Sequence, residues 1–290
     1  MHQYLSAIGF SKLNKNQLEE LLEEVVSRPD YQESAIDFEG NQFVELRYMV
    51  ADNIGIVLRG LYNDKDEFIL DYYYPSFFGS TVSTYGNIDI IKQSDQDNYH
   101  VMCDELKLGV NLIFQLQNMG EYLRNGKNYN KNNPNGVKLA GLSTSGKIIL
   151  PIYSNEMSKI KAKMNYDRRI ELYEQARDGN EEAMESLTMD EIDMYQRISR
   201  RILRQDILTV VSSYFMPYGI ENDKYDILGE IIDVKEVVNH LTMEEMYLII
   251  VESNDVPIEI CINKKNLYGM PAIGRRFKGN VWVQGTVDFS

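Results

Sequence analysis

Residues 280–289 read NVWVQGTVDF, and their alternation decides what kind of structure ends this chain. Val281, Val283, Val287 and Phe289 fall on one face of a period-two strand, while Trp282 and Gln284 fall on the other, because successive side chains of an extended chain point to opposite sides. The aliphatic face belongs against a core. The only tryptophan of the sequence is therefore expected outside that core, on the strand's second face.

Four further strands are read ahead of it, near 206–215, 225–235, 244–252 and 256–263. Pro217-Tyr218-Gly219, Asn254-Asp255 and Tyr268-Gly269-Met270-Pro271 supply the turns between strands. Five strands in this stretch predict a small five-stranded β-barrel over 206–290, OB-like or SH3-like. Gly229 marks where its second strand can bend.

Residues 154–205 differ in character, with few glycines and many Glu, Lys, Arg and Met. Met157, Ile160 and Met164, then Ile192, Tyr195, Ile198 and Ile202, recur at helical spacing, which predicts a helical connector. Thr188 with Glu191 has the spacing of a capping box, so the last connector helix is expected to start just after Thr188.

Residues 1–153 read as an α+β domain, an antiparallel sheet with helices. Leu18, Leu21, Leu22, Val25 and Val26 form an apolar stripe opposite Glu19, Glu20, Glu23 and Glu24, with Asn16 as the expected N-cap and Pro29 beyond the end. Val44, Leu46, Tyr48 and Val50 then alternate with polar neighbours, as do the leucines of 106–116. Other strands are expected near 54–62, 66–74, 87–92, 98–104, 137–142 and 147–152. NGKNYNKNNPNG, residues 125–136, has the turn chemistry of an exposed loop.

Three stretches carry a family resemblance: CDELKLGVNLIFQLQN (103–118), ISRRILRQDILTVVSSYFMPYGIENDKYDILGEI (198–231) and NLYGMPAIGRRFKGNVWVQG (266–285). Together with YLSAIGFS (4–11) they resemble an uncharacterised bacterial family, domain of unknown function 3881. The resemblance implies a cytosolic bacterial protein and supplies no activity, cofactor or catalytic residue.

The net charge of −14 is spread over both halves of the 290 residues, so the long-range field repels phosphate backbones and anionic membranes. Non-specific nucleic-acid binding and a membrane partner are not expected. No charged lead precedes an apolar segment at the N-terminus, and no apolar run approaches the roughly 20 residues of a spanning helix. With Cys103 and Cys261 as the only cysteines, a cytoplasmic location is the expectation.

The phosphate loop, the dinucleotide glycine motif, the H-E-x-x-H pair and paired C-x-x-C motifs are all missing. With only His2, His100 and His240, no metal site, catalytic residue or cofactor is assigned. His100, Cys103 and Asp104 invite a nucleophile and base, but strand alternation sends positions 100 and 103 to opposite faces. DYYYPSFFG (71–79) concentrates aromatics that fit either core packing or a ligand surface.

Two basic clusters remain. Arg197, Arg200, Arg201 and Arg204 share one helix face, a possible anion clamp or a solvated, salt-bridged stripe. Between 263 and 278 lie Lys264, Lys265, Arg275, Arg276 and Lys278 without one acidic residue, next to Trp282. Tyr268, Arg275, Arg276, Lys278, Trp282 and Gln284 are thus the expected ligand-binding set, with packing of Trp282 against the connector as the alternative. The function read from this is a non-catalytic binding or adaptor protein, its partner a protein or a small acidic ligand. The alternatives are an enzyme acting on a phosphorylated or acidic small molecule, with Asp104 and Glu105 as acid–base groups, and a structural assembly subunit.

Overall fold

The computed structural model describes residues 2–92, 98–108, 110–125, 136–152, 156–202, 206–219 and 222–289. The chain opens with a 3-10 turn, Gln3–Ile8, capped by the His2 ring, which accepts a hydrogen bond from the Tyr4 amide. Helix α1 (Lys15–Ser27) follows. Asn14, not Asn16, caps it: Asn14 accepts from the Gln17 amide at 2.9 Å while the Gln17 side chain accepts from the Asn14 amide at 3.0 Å. That reciprocal box satisfies two donors and starts the helix earlier than the stripe alone indicates.

Strands β1 (Tyr31–Ile36), β2 (Gln42–Ala51), β3 (Ile54–Tyr62) and β4 (Phe68–Phe77) form a four-stranded antiparallel meander. Val44, Leu46 and Val50 of β2 and Ile54, Ile56 and Leu58 of β3 pack with Leu5, Leu18, Leu21 and Val25 in one core. Glu45 and Arg59, which are register partners on the other face, are both buried. Arg59 Nε donates to Glu45 at 2.7 Å, Nη1 to the Tyr72 hydroxyl at 2.7 Å and Asn98 at 3.3 Å, and Nη2 to the carbonyls of Leu116 at 3.2 Å and Gln117 at 3.3 Å. Each of its five N–H groups has an acceptor, which is the condition for burying a guanidinium.

The second sheet begins with β5 (Asn87–Lys92), β6 (Tyr99–Glu105) and β7 (Val110–Leu116), followed by α2 (Met119–Asn125) and β8 (Val137–Ile149). Helices α3 (Glu156–Arg177), α4 (Glu181–Ile202) and α5 (Ile207–Val210) come next. Then follow β9 (Tyr214–Pro217), β10 (Lys224–Val238), β11 (Glu245–Ser253), β12 (Val256–Asn263), β13 (Leu267–Tyr268) and β14 (Arg276–Val287). Strands β8, β12, β11, β10 and β14 pair in that order, and β14 pairs back to β8, closing a five-stranded barrel. On the β7 side of β14 the sheet runs on through β7, β6 and β5.

The barrel has the expected number of strands but not the expected set. Residues 206–215 hold α5 and the start of the short β9, because Asp206 accepts from the Leu208 amide at 2.7 Å and nucleates a helical turn. The fifth stave is instead β8, which runs unbroken from the segment expected at 137–142 into the one expected at 147–152 and ends at Ile149. At Gly146 an added Cβ would lie 2.5 Å from the Phe277 ring, so the strand passes there only because it lacks a side chain. One strand of the barrel thus precedes the connector and four follow it. At Gly229 an added Cβ would sit 2.4 Å from the Glu252 carbonyl oxygen, where β10 passes from pairing with β14 to pairing with β11.

Alternation along β14 is as expected: Phe277, Val281 and Val283 enter the barrel core with Val287, and Trp282 lies outside it. The connector is helical, but its second helix starts at Glu181. Asn180 accepts from the amides of Glu182 and Ala183 at 3.0 and 3.2 Å, and Gly179 takes a left-handed φ of +89°. Thr188 therefore sits inside the helix and donates to the Met184 carbonyl at 2.8 Å. Met164 and Ile192 of the expected apolar stripes are exposed, and Ala183 and Leu187 are buried in their place. Most of the asparagine-rich stretch, 126–135, lies outside the described residues. No described helix is long and apolar enough to cross a membrane.

Candidate functional site

The outer face of the second sheet is where side chains not needed by the core come to lie. Val101 and Cys103 of β6 and Leu112 and Phe114 of β7 point to the core, so His100, Met102, Ile113 and Gln115 occupy the opposite face. Trp282 of β14 continues that floor. Tyr72, Tyr73 and Tyr74 of β4 face it from the first sheet, with His2 and Tyr4 of the N-terminal turn beside them, and Asn222, Asp223 and Lys224 close one side. The cleft they line is open on one side and measures about 690 Å³, a volume typical of small-ligand sites.

Trp282 is 6% exposed. Tyr4 stacks on it with ring centroids 5.2 Å apart, the His2 ring lies at 4.9 Å, and Tyr74 meets it edge-on at 6.3 Å. Its indole N–H donates to Asp223 Oδ2 at 2.7 Å, and the same oxygen is 3.4 Å from His100 Nε2. Asp223 is fixed in turn, since its carbonyl accepts from the Val283 amide at 2.8 Å. Burial, then Lys224 and the N-terminal amine, lower the His2 pKa to about 4 against the opposing pull of Asp223, so this ring is neutral at pH 7. Lys224 Nζ lies 5.5 Å from the centroid of the Tyr4 ring.

Two polar groups at this cavity stand out. Gln115 lines it, and its carboxamide, bonded to no other described side chain, opens to the cleft. The Tyr74 hydroxyl is buried without a partner, and burial drives its pKa upward. Buried polar atoms normally find partners within the fold, so such exceptions mark places where something else supplies them.

The six residues expected to form one ligand surface are not brought together. Trp282 alone among them lines the cavity. Gln284 is fully buried, accepting from the Phe77 amide at 3.2 Å and from the Gln117 carboxamide at 3.0 Å while donating to the Pro75 carbonyl at 2.9 Å, and so stitches β14 to β4. Arg276 is buried and donates to the carbonyls of Leu150, Val211 and Leu208. Arg275 donates to the Met270 carbonyl, and Tyr268 is 84% exposed.

The basic run is neutralised across strands. Lys278 pairs with Asp226 at 3.3 Å, Lys264 with Glu236 at 2.6 Å and Glu245 at 3.3 Å, and Lys265 with Glu244 at 2.9 Å. The acids that the run lacks in sequence are supplied by β10, β11 and the turn between them. Trp282 packs against the N-terminal turn and β4, not against the connector helices. The side chains of Arg197, Arg200 and Arg201, and Arg204 altogether, lie outside the described residues.

His100 and Cys103 face opposite ways. His100 lines the cavity, whereas Cys103 is fully buried and its thiol pKa is pushed up to about 12 by burial first and by Glu105 and Asp104 after it. Asp104 is 3.7 Å from Arg177, and Glu105 accepts from the Thr84 hydroxyl, so both carboxylates are engaged outside the aromatic cavity. Among the described residues, no group of three or more His, Cys, Asp or Glu side chains is placed to hold a metal ion. Sequence reasoning missed His2, Tyr4, Gln115 and Asp223. Only the aromatic run at 72–74 signalled the place, and it could not say what would face it.

A family model described as "Domain of unknown function, E. rectale Gene description (DUF3881)" matches residues 5–285. No curated protein and no solved structure matches the chain.

Proposed function

The chain belongs to the DUF3881 family, a domain of unknown function, and we propose that within it this protein is a cytoplasmic small-molecule-binding protein whose site is the cavity over Trp282. One observation carries the reading: aromatic side chains line an open cleft together with a carboxamide, Gln115, that no other described side chain engages. A purely structural seam between two sheets would be filled by packed side chains. A cytoplasmic location agrees with both cysteines being buried free thiols.

A catalytic reading has one contact in its favour, Asp223 beside His100 at 3.4 Å. The carboxylate oxygen is already engaged by Trp282, and the described residues lining the cavity include no serine, threonine or cysteine to act as nucleophile. Binding is the better reading. Its test is native mass spectrometry of the full chain purified from cells, together with acrylamide quenching of Trp282, the sole tryptophan. A co-purifying small molecule whose removal increases quenching supports the site. A protein that carries no small molecule counts against it.

A further inference from the structure

Resting on the reading of this cavity as a binding site, the geometry points to a ligand class: we infer that it takes an uncharged planar heterocycle, of the nucleobase or nucleoside type, in preference to a phosphorylated one. Three properties of the lining lead there. The first is shape, since the half-buried rings of Tyr72 and Tyr73 line the cleft beside the covered edge of Trp282, and a flat π-system is the group such aromatic surfaces hold best.

The second is the edge chemistry of Gln115. A carboxamide offers one acceptor and two donors side by side, and, engaged by no other described side chain, it complements a ring edge carrying adjacent donor and acceptor atoms. Glutamine meets adenine in this bidentate manner in nucleic-acid recognition. A sugar could use the carboxamide but not the flat walls. A plain hydrocarbon ring could use the walls but would cover the carboxamide without giving it a partner.

The third is charge. Among the described residues Lys224 is the only lysine or arginine in the lining and lies next to Asp223, while His2 is held neutral at pH 7. Asp223 and Lys224 offset each other among the described lining residues, and the net charge of −14 on the whole chain opposes an incoming phosphate. The cations that might have clamped a phosphate, Arg276 and Lys278, are spent on backbone carbonyls and on Asp226 elsewhere in the barrel.

The experiment is a fluorescence titration of the full chain with adenosine, guanosine, cytidine and uridine, with their 5′-monophosphates, and with glucose and indole as controls. The expected result is a saturable change in Trp282 emission with at least one nucleoside and binding of its monophosphate at least tenfold weaker. Gln115→Leu should weaken that nucleoside at least tenfold without changing the melting temperature downward. Should glucose or indole bind while no nucleoside does, the cavity is a site and the ligand class is overturned. A monophosphate binding as tightly as its nucleoside also overturns the class. No response to any probe overturns the class and the site together.

Discussion

Trp282 and Asp223 are joined by a 2.7 Å hydrogen bond from indole N–H to carboxylate, although they sit 59 positions apart. The pair ties the outer face of the barrel to the turn that enters β10, and it fixes the one fluorescent reporter of the cavity. Removing the carboxylate leaves a nearly buried indole N–H without its acceptor. Asp223→Ala is expected to cost about 1.5–3 kcal/mol, the usual worth of a hydrogen bond to a charged group. Urea denaturation followed by circular dichroism measures it, and Asp223→Asn, which keeps an acceptor, should lose less.

The Glu45–Arg59 pair is predicted to be far more sensitive than any surface ion pair of the chain. Both groups are buried, and Arg59 also holds β7 and the start of α2 through the carbonyls of Leu116 and Gln117. Glu45→Ala strands a buried guanidinium and should cost about 3–5 kcal/mol. The exposed pair Lys15–Glu19 should give no more than about 0.5 kcal/mol when Glu19 is replaced. Equal losses for the two variants would contradict the account of Arg59 as the fastener between sheets.

Acid should loosen the cavity through His2. Its folded pKa of about 4 lies below the ordinary 6.5, because burial and Lys224 disfavour the cation. The unfolded chain therefore binds a proton that the folded chain does not, and stability falls as the pH drops from about 6.5 to 4. His2→Asn keeps an acceptor for the Tyr4 amide and removes the titration. Thermal melts across this range should show a shallower slope for His2→Asn than for the natural sequence.

Arg276 is expected to behave as a structural residue. Its guanidinium gathers the carbonyls of Leu150, Leu208 and Val211, joining the end of β8 to the segment after α5. Arg276→Lys cannot reach three carbonyls with one ammonium and should lower the melting temperature by several degrees, about 1–2 kcal/mol. Ligand binding by the folded fraction should be unchanged, as read from Trp282 emission.

A chain of residues 206–290 alone should not unfold cooperatively. It keeps β10, β11, β12 and β14 but lacks β8, so β12 and β14 lose the strand that joins them. Two unpaired edges and an open core are left. Supplying residues 136–149 as a fused segment should restore a sharp thermal transition, measured by circular dichroism. A cooperative melt of 206–290 by itself would show that the barrel closes without β8.

Much of the local structure was legible from short-range periodicity. The strands at 54–62, 87–92 and 256–263 coincide with β3, β5 and β12 to the residue, and the opposite placement of Trp282 and Val281 follows from a period of two. Where a competing local signal existed the reading slipped, as at Asn180 and Thr188, which both satisfy helix-start chemistry while the glycine before Asn180 decided between them. The basic run looked uncompensated because charge was counted along the chain, whereas its partners stand on neighbouring strands.

By itself, then, the sequence determined the alternating faces, the helical connector, the barrel's strand number and the exclusion of Trp282 from its interior. These are set by neighbours two to four residues apart. Only the tertiary structure decided that β8 closes the barrel, that Arg276 and Gln284 serve the scaffold, and that residues as distant as His2, Tyr74, Gln115, Asp223 and Trp282 line one cavity. The reason is physical: periodicity fixes which way a side chain faces. What it meets depends on strand pairing and closure, which are chosen by the packing and hydrogen bonding of the whole chain at once.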